Sequence, residues 1–371
     1  MLRILERQTA RCHAPRRAGI LVVKELMLLL ICLVSLFSLG AKSLDWLVVD
    51  VVHEAAHARL ARVASLNYVS RLVTDREGTT LWICRPLRMV SQVNLESGET
   101  EQGIVTEGRK LSRIAHSQNN STTLLVWAEG EAELYRHGLL SSPISLLVRS
   151  RGESFVIDAG VSADGTIAVF VSQNGEVQGW LDRESATEVF CYSLPTSSAV
   201  SRACLDPQGR RLFVAREDKT AGIHEVLTGV DQKSPLKLPA VCTSAVWSAD
   251  GSSILVATQD GSISLLDAVS GQTQWQGKLN TADLPKFAWA DSIAISRDET
   301  QVAAASSHSK LINVWNRNSA AAPTSQSLAG HDGVIRSLEF GHDSQTLYSG
   351  SLDGTVREWS LVSFTQRRII D

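Results

Sequence analysis

From residue 70 to the C-terminus the chain repeats one pattern of apolar and polar positions seven times. Each copy has a short alternating stretch, a turn of Asp, Gly, Ser or Asn, a β-rich apolar stretch, a second turn and a third short stretch. The copies are Ser70–Leu95, Arg113–Tyr135, Ala159–Leu181, Arg202–Val226, Ser244–Asp267, Ser292–Asn316 and Gly330–Leu361. β-branched residues are frequent and no helical period fits, so each copy predicts an antiparallel meander. The first turns fall at Gly78, Asn120, Gly165, Gly209, Gly251, Glu299 and Ser344, in steps of 42, 45, 44, 42, 48 and 45 residues. A four-stranded propeller blade is about 40 to 45 residues long. One meander cannot bury both of its faces, so recurrence at a fixed period is what such an architecture requires. Residues 67–371 therefore predict an all-β domain, a seven-bladed β-propeller of four-stranded antiparallel blades.

The last copy carries further detail. Its Gly330-His331 pair, the strand through Leu338-Glu339-Phe340, the turn Ser349-Gly350-Ser351-Leu352-Asp353-Gly354 and the closing Glu358-Trp359-Ser360 resemble a WD repeat, with Ser360 where that family usually has Asp. The resemblance implies a buried hydrogen-bonded set made of His331, Asp353, Trp359 and either Ser349 or Ser351. That role is structural, which makes His331 and Asp353 poor catalytic candidates. In the other copies Trp180 and Trp315 keep the third-strand Trp, while Leu266, Val226 and Tyr135 stand in its place. The stretches Thr228–Leu238 and Asn316–Ser327 are rich in Ser, Pro, Ala and Lys and read as loops between blades. The tail after Trp359 can supply the outer strand of the last blade. The ring then closes by packing of blade one on blade seven, without a shared strand.

Ahead of the repeats lie three segments: a basic region, 1–18; an apolar segment, 19–41; and a predicted linker helix, 42–66. The uninterrupted apolar run Leu26–Ala41 reaches a full span if Lys24 and Glu25 extend to the headgroups. A basic flank ahead of such a run keeps the N-terminus cytoplasmic. The segment predicts a signal anchor that leaves the propeller extracytoplasmic. The alternative is a signal peptide cleaved near Gly40, giving a secreted or periplasmic domain.

The linker contains His53-Glu54-Ala55-Ala56-His57, an HExxH pattern in which His53 and His57 could ligate zinc with Glu54 as general base. Its surroundings resemble the site-2 type of metalloprotease, whose third ligand comes from an LDG-like motif. The LDG triplet of this chain, Leu352-Asp353-Gly354, is already the turn of the last repeat, so the match is read as fortuitous.

Charge and cysteine content narrow the remaining classes. With 36 basic and 39 acidic residues there is no global field to attract nucleic acid. None of the six cysteines stands at CxxC spacing, and those on apparent strands read as buried free thiols. Asn119 and Asn120 begin two overlapping N-x-S/T sequons at a turn.

The propeller sequence contains no recognisable nucleophile turn and no phosphate-cradling Gly loop, and no cofactor is expected. The expected function is a membrane-tethered protein-interaction scaffold, with Arg85, Arg88, Arg216, His308 and Asp332 near the mouth of its binding face. The alternatives are a zinc metalloprotease using the 53–57 motif, or an exported propeller enzyme with a cofactor in its central channel.

Overall fold

The second stretch of the repeats is buried at every position, as in TTLLVW at Thr122–Trp127 or SILVAT at Ser253–Thr258, or at every position but the first, Arg211 or Gln301. A strand covered on one face would alternate. A strand with a neighbouring blade against each face does not, and here the apolar run is continuous. The computed structural model describes residues 68–370 except 76, 86–88, 106–108, 110, 120, 128–130, 137–143, 148–154, 184–185, 196–197, 280–288, 307 and 320–324. The basic region, the apolar segment and the linker with His53, Glu54 and His57 lie outside the described residues.

Seven antiparallel sheets follow one another, each made of four consecutive strands. They are blades 1 to 7, at residues 71–105, 111–147, 156–193, 200–237, 242–278, 290–328 and 335–370. The first strand of each blade lines a central channel. The hydrophobic core is divided into seven clusters, and each lies between two adjacent blades. Trp82 and Cys84 of blade 1, for example, meet Leu125, Trp127 and Tyr135 of blade 2, and Ala168, Phe170 and Trp180 of blade 3 meet Leu124 and Val126 of blade 2.

The first turns form a belt around one face. Asn119 N–H donates to Ala163 O at 3.1 Å, and Ala163 N–H donates to Pro207 O at 2.7 Å. Gln208 Nε2 donates to Asp250 O at 3.1 Å, Ser252 Oγ to Glu299 Oε1 at 3.3 Å, and Gln301 Nε2 to Ser344 O at 3.3 Å. These turns need a left-handed residue, and they have one at Gly78, Gly165, Gly209, Gly251, Glu299 and Ser344. Asn119, first of the sequons, is tied into the belt by its own amide, which donates to Asp164 O at 2.7 Å.

Two stretches read as loops are outer strands. Asp231–Lys237 closes blade 4 and Ser325–Leu328 closes blade 6. An outer strand pairs on one side only, so it can be polar and can hold Pro235, which would break a central ladder. In blade 4 the strand register sets His224, not Val226, opposite Leu212. That is the position at which Trp359 faces Leu347 in blade 7. His224 is buried without a hydrogen bond to either ring nitrogen, and burial lowers its pKa, with the Asp231 carboxylate acting in the opposite sense. Of the four described cysteines, all free, Cys84 and Cys242 are buried; Cys191 is exposed because it sits on the outer strand of blade 3.

Blade 7 holds the hydrogen-bonded set of the last repeat. His331 Nδ1 lies 2.8 Å from Asp353 Oδ2, and His331 Nε2 lies 2.7 Å from Ser349 Oγ. Trp359 Nε1 donates to the same Ser349 hydroxyl at 2.7 Å. Ser351 is used differently, donating to Val334 O at 3.1 Å and accepting from Asp353 N–H. Burial opposes a charge on Asp353, but hydrogen bonds from His331 and from the Thr355 hydroxyl and N–H outweigh it. They hold its carboxyl well below the usual range. Because Ser349 links the ring to the indole, Ser349→Ala leaves two buried polar groups short of a partner. It should cost about 2 to 4 kcal/mol in equilibrium denaturation.

Among the described residues the ring closes without a shared strand. Thr365–Ile370 pairs with Val356–Ser360 as the outer strand of blade 7, and Arg71–Thr74 pairs within blade 1. Across the seam Val69 N–H donates to Ser351 O at 3.0 Å and Leu72 N–H to Ser337 Oγ at 2.9 Å. Arg368 Nη2 donates to Leu95 O at 2.7 Å. Val69, Leu72, Leu81 and Leu95 pack with Tyr348, Val356 and Ile370. The contact is close enough that a methyl group on Gly350 would overlap Val69.

Also at the seam, the half-buried Glu339 carboxylate accepts from the Thr74 hydroxyl at 3.1 Å. Burial pushes its pKa up from 4.5 to about 7, against the pull of Thr74 and Arg71. A carboxyl raised in the folded state favours folding fully below its unfolded value, and that contribution is lost as pH rises through about 7. Glu339→Gln should therefore match the wild type near pH 5. It should exceed it by on the order of 1 to 3 kcal/mol near pH 8, as read by denaturant titration at the two pH values.

Candidate functional site

The face opposite the belt of first turns carries the starts of the inner strands and the turns between second and third strands. Pairing of Val200 with Arg216, Ala290 with Ser306 and Ile335 with Ser351 brings these ends together in each blade. Arg85, Arg216, His308 and Asp332 all belong to this face. His308 and Asp332 are exposed on it. Asp332 is positioned by its own N–H, which donates to Asp353 Oδ2 at 2.9 Å, and the His308 ring stands edge-on to Trp289 with centroids 6.0 Å apart. Arg85 and Arg216 end second strands and are buried, at 8% and 6% exposure. Arg88 lies outside the described residues. Of the other four, only His308 and Asp332 are exposed to solvent on this face.

Inside the rim a channel of about 430 Å³ runs down between the inner strands. Its lining repeats with the blades. In blades 2 to 7 the inner strand carries a register shift after its first residue, so one residue is skipped and the next is set at a fixed level. That level is occupied by Arg113, Asp158, Arg202, Ser244, Ser292 and Ser337. In blade 1 the residue paired at the same level is Arg71, opposite Cys84.

Two of the three arginines bridge to the next blade. Arg113 Nε donates to Ile157 O at 2.6 Å and its Nη1 to Ser112 O at 2.8 Å. Arg202 repeats the arrangement, with Nε to Thr243 O at 2.5 Å and Nη1 to Ser201 O at 2.7 Å. Among the skipped residues, Arg336 of blade 7 pairs with Asp291 of blade 6. These channel residues escaped the sequence reading, which looked for function in the turns. Aligning the inner strands on their second and third residues reveals them.

Among the described residues no group of three or more His, Cys, Asp or Glu is placed to hold a metal ion, and no helix is long and apolar enough to cross a membrane.

Comparison with known proteins agrees with the geometry of blades 6 and 7. The family model described as WD domain, G-beta repeat matches residues 323–360. No curated protein matches the chain. Among solved structures, the chain is similar to the β-propeller domain of Cps50 (Swd1) from Myceliophteria thermophila. The TM-score is 0.67 at 14% identity, over 79% of this chain and 97% of that one. At that identity the likeness bears on fold alone. The chain is thus a seven-bladed β-propeller whose residues 323–360 match the WD repeat.

Proposed function

We propose that the chain is a protein-interaction scaffold that binds its partner on the face bearing His308 and Asp332. The observation that carries this reading is the exposure of His308 and Asp332 at the ends of strands packed between blades. Loops stand on strands fixed by seven inter-blade cores, so a partner meets side chains already held in place and the ordering cost of binding is small. Propellers built from this repeat generally bind protein partners, which supports the same reading. The function lies in recognition rather than in bond-making.

The apolar segment 19–41 tethers the scaffold to a membrane, and the basic residues ahead of it keep the N-terminus cytoplasmic, so the propeller works on the other side. The match at His53, Glu54 and His57 then belongs to a connecting helix.

One experiment tests both parts. Tagged full-length chain is recovered from native membranes in detergent beside a His308→Ala, Asp332→Arg variant of equal thermal stability. A stoichiometric protein should be held by the wild type and reduced at least about tenfold by the variant. Equal recovery by both chains, or none by either, contradicts the assignment of this face. In the same preparation, release of the chain by an alkaline wash before detergent would rule out the tether.

A further inference from the structure

The arginine level of the channel is asymmetric. Arg113 and Arg202 each rest on the carbonyl of the skipped residue in the following blade. The corresponding acceptor for Arg71 would be Ser112 O. That carbonyl already accepts from Arg113 Nη1. Arg71 is left exposed to the channel, and among the described residues its guanidinium has no hydrogen bond or ion pair.

The surrounding charges do not neutralise it. Arg336 is taken by Asp291. The Arg113 and Arg202 guanidiniums are held by neutral carbonyls, so each keeps a full positive charge while its orientation is fixed. Asp158 is the one acidic residue at this level. Its carboxylate accepts from the Ala159 N–H at 3.2 Å and forms no ion pair among the described residues. Glu339 stands two residues beyond Ser337, about 7 Å further along the strand, and is engaged by Thr74. The three arginines are close enough to influence one another: Arg71 and Arg202 both act on Arg113, where they oppose its charge while Asp158 supports it. Three guanidiniums therefore face Asp158 at their own level and Glu339 further along the channel, and one of the three, Arg71, has no hydrogen bond or ion pair to the protein among the described residues.

We propose that the mouth of the channel, at Arg71, Arg113 and Arg202, is a binding site for a small, multiply charged oxyanion of the phosphate or carboxylate type. Guanidinium groups match both chemistries through paired N–H donors. Arg71 is the exposed, uncommitted arm and makes the direct contact, while Arg113 and Arg202 supply a fixed field. Asp158 limits affinity and selects against weakly charged anions. This site is separate from the rim: it requires neither His308 nor Asp332, and stands or falls independently of the partner-binding face.

The test is isothermal titration of pyrophosphate, and in a second arm citrate, into detergent-purified full-length protein at low ionic strength. At least one of the two should bind at a single saturable site, weakening steeply as salt is raised. The tighter of the two identifies the chemistry. Arg71→Ala should weaken binding at least about tenfold and change the melting temperature little, since its guanidinium makes no hydrogen bond or ion pair among the described residues and only its pull on Glu339 is lost. Asp158→Asn should tighten binding severalfold. No saturable binding of either anion, undiminished binding by Arg71→Ala, or weaker binding by Asp158→Asn would each overturn the proposal. Variants of Arg113 or Arg202 are avoided, because their bonds to the next blade would mix a structural loss with a binding one.

Discussion

Closure of the ring without a shared strand is the constraint on which the rest of this structure depends. Among the described residues every blade uses its own four consecutive strands, so no strand is shared between blade 7 and blade 1. The seam is held by the means that serve the other junctions: an apolar cluster between the sheets and hydrogen bonds between their inner strands. Gly350 allows Val69 to approach, and the Val69 N–H to Ser351 O bond fixes the entry to the first inner strand. Glu339 is a weak point in this arrangement, because a carboxylate half-buried beside Thr74 favours the folded state only when it is protonated.

The same geometry creates the two surfaces to which a function is assigned. Inner strands of like register bring one residue from every blade to a common level, so a modest excess of arginine at that level becomes a concentrated positive field. At the strand ends on the face opposite the belt of first turns, His308 and Asp332 stand exposed above the inter-blade cores. The hydrogen-bonded set of His331, Asp353, Ser349 and Trp359 belongs to neither surface; it ties the segment entering blade 7 to the second and third strands and the turn between them.

Much of this architecture can be read from the chain, because turns at a fixed period demand left-handed residues. Gly78, Gly165, Gly209, Gly251, Glu299 and Ser344 stand where the repeat pattern places its first turns. Outer strands were harder to see, since Asp231–Lys237 and Ser325–Leu328 need only one paired edge and carry no apolar pattern. Pattern alone also assigned the Trp position of blade 4 to Val226, whereas the ladder gives it to His224. The rim was legible in position but not in exposure. Arg85 and Arg216 read as turn residues, yet they complete strands buried between blades. The channel arginines went unnoticed because Arg71, Arg113 and Arg202 are scattered over 130 residues and meet only when the ring closes.

Native-state hydrogen exchange at the amides of Val69 and Leu72 tests the closed ring most directly. If the seam is a junction like the others, both amides should exchange as slowly as Ala163 N–H, which donates across the junction between blades 3 and 4. Exchange at the rate of an unstructured chain, with Ala163 still protected, would mean that the ring is open between blades 1 and 7.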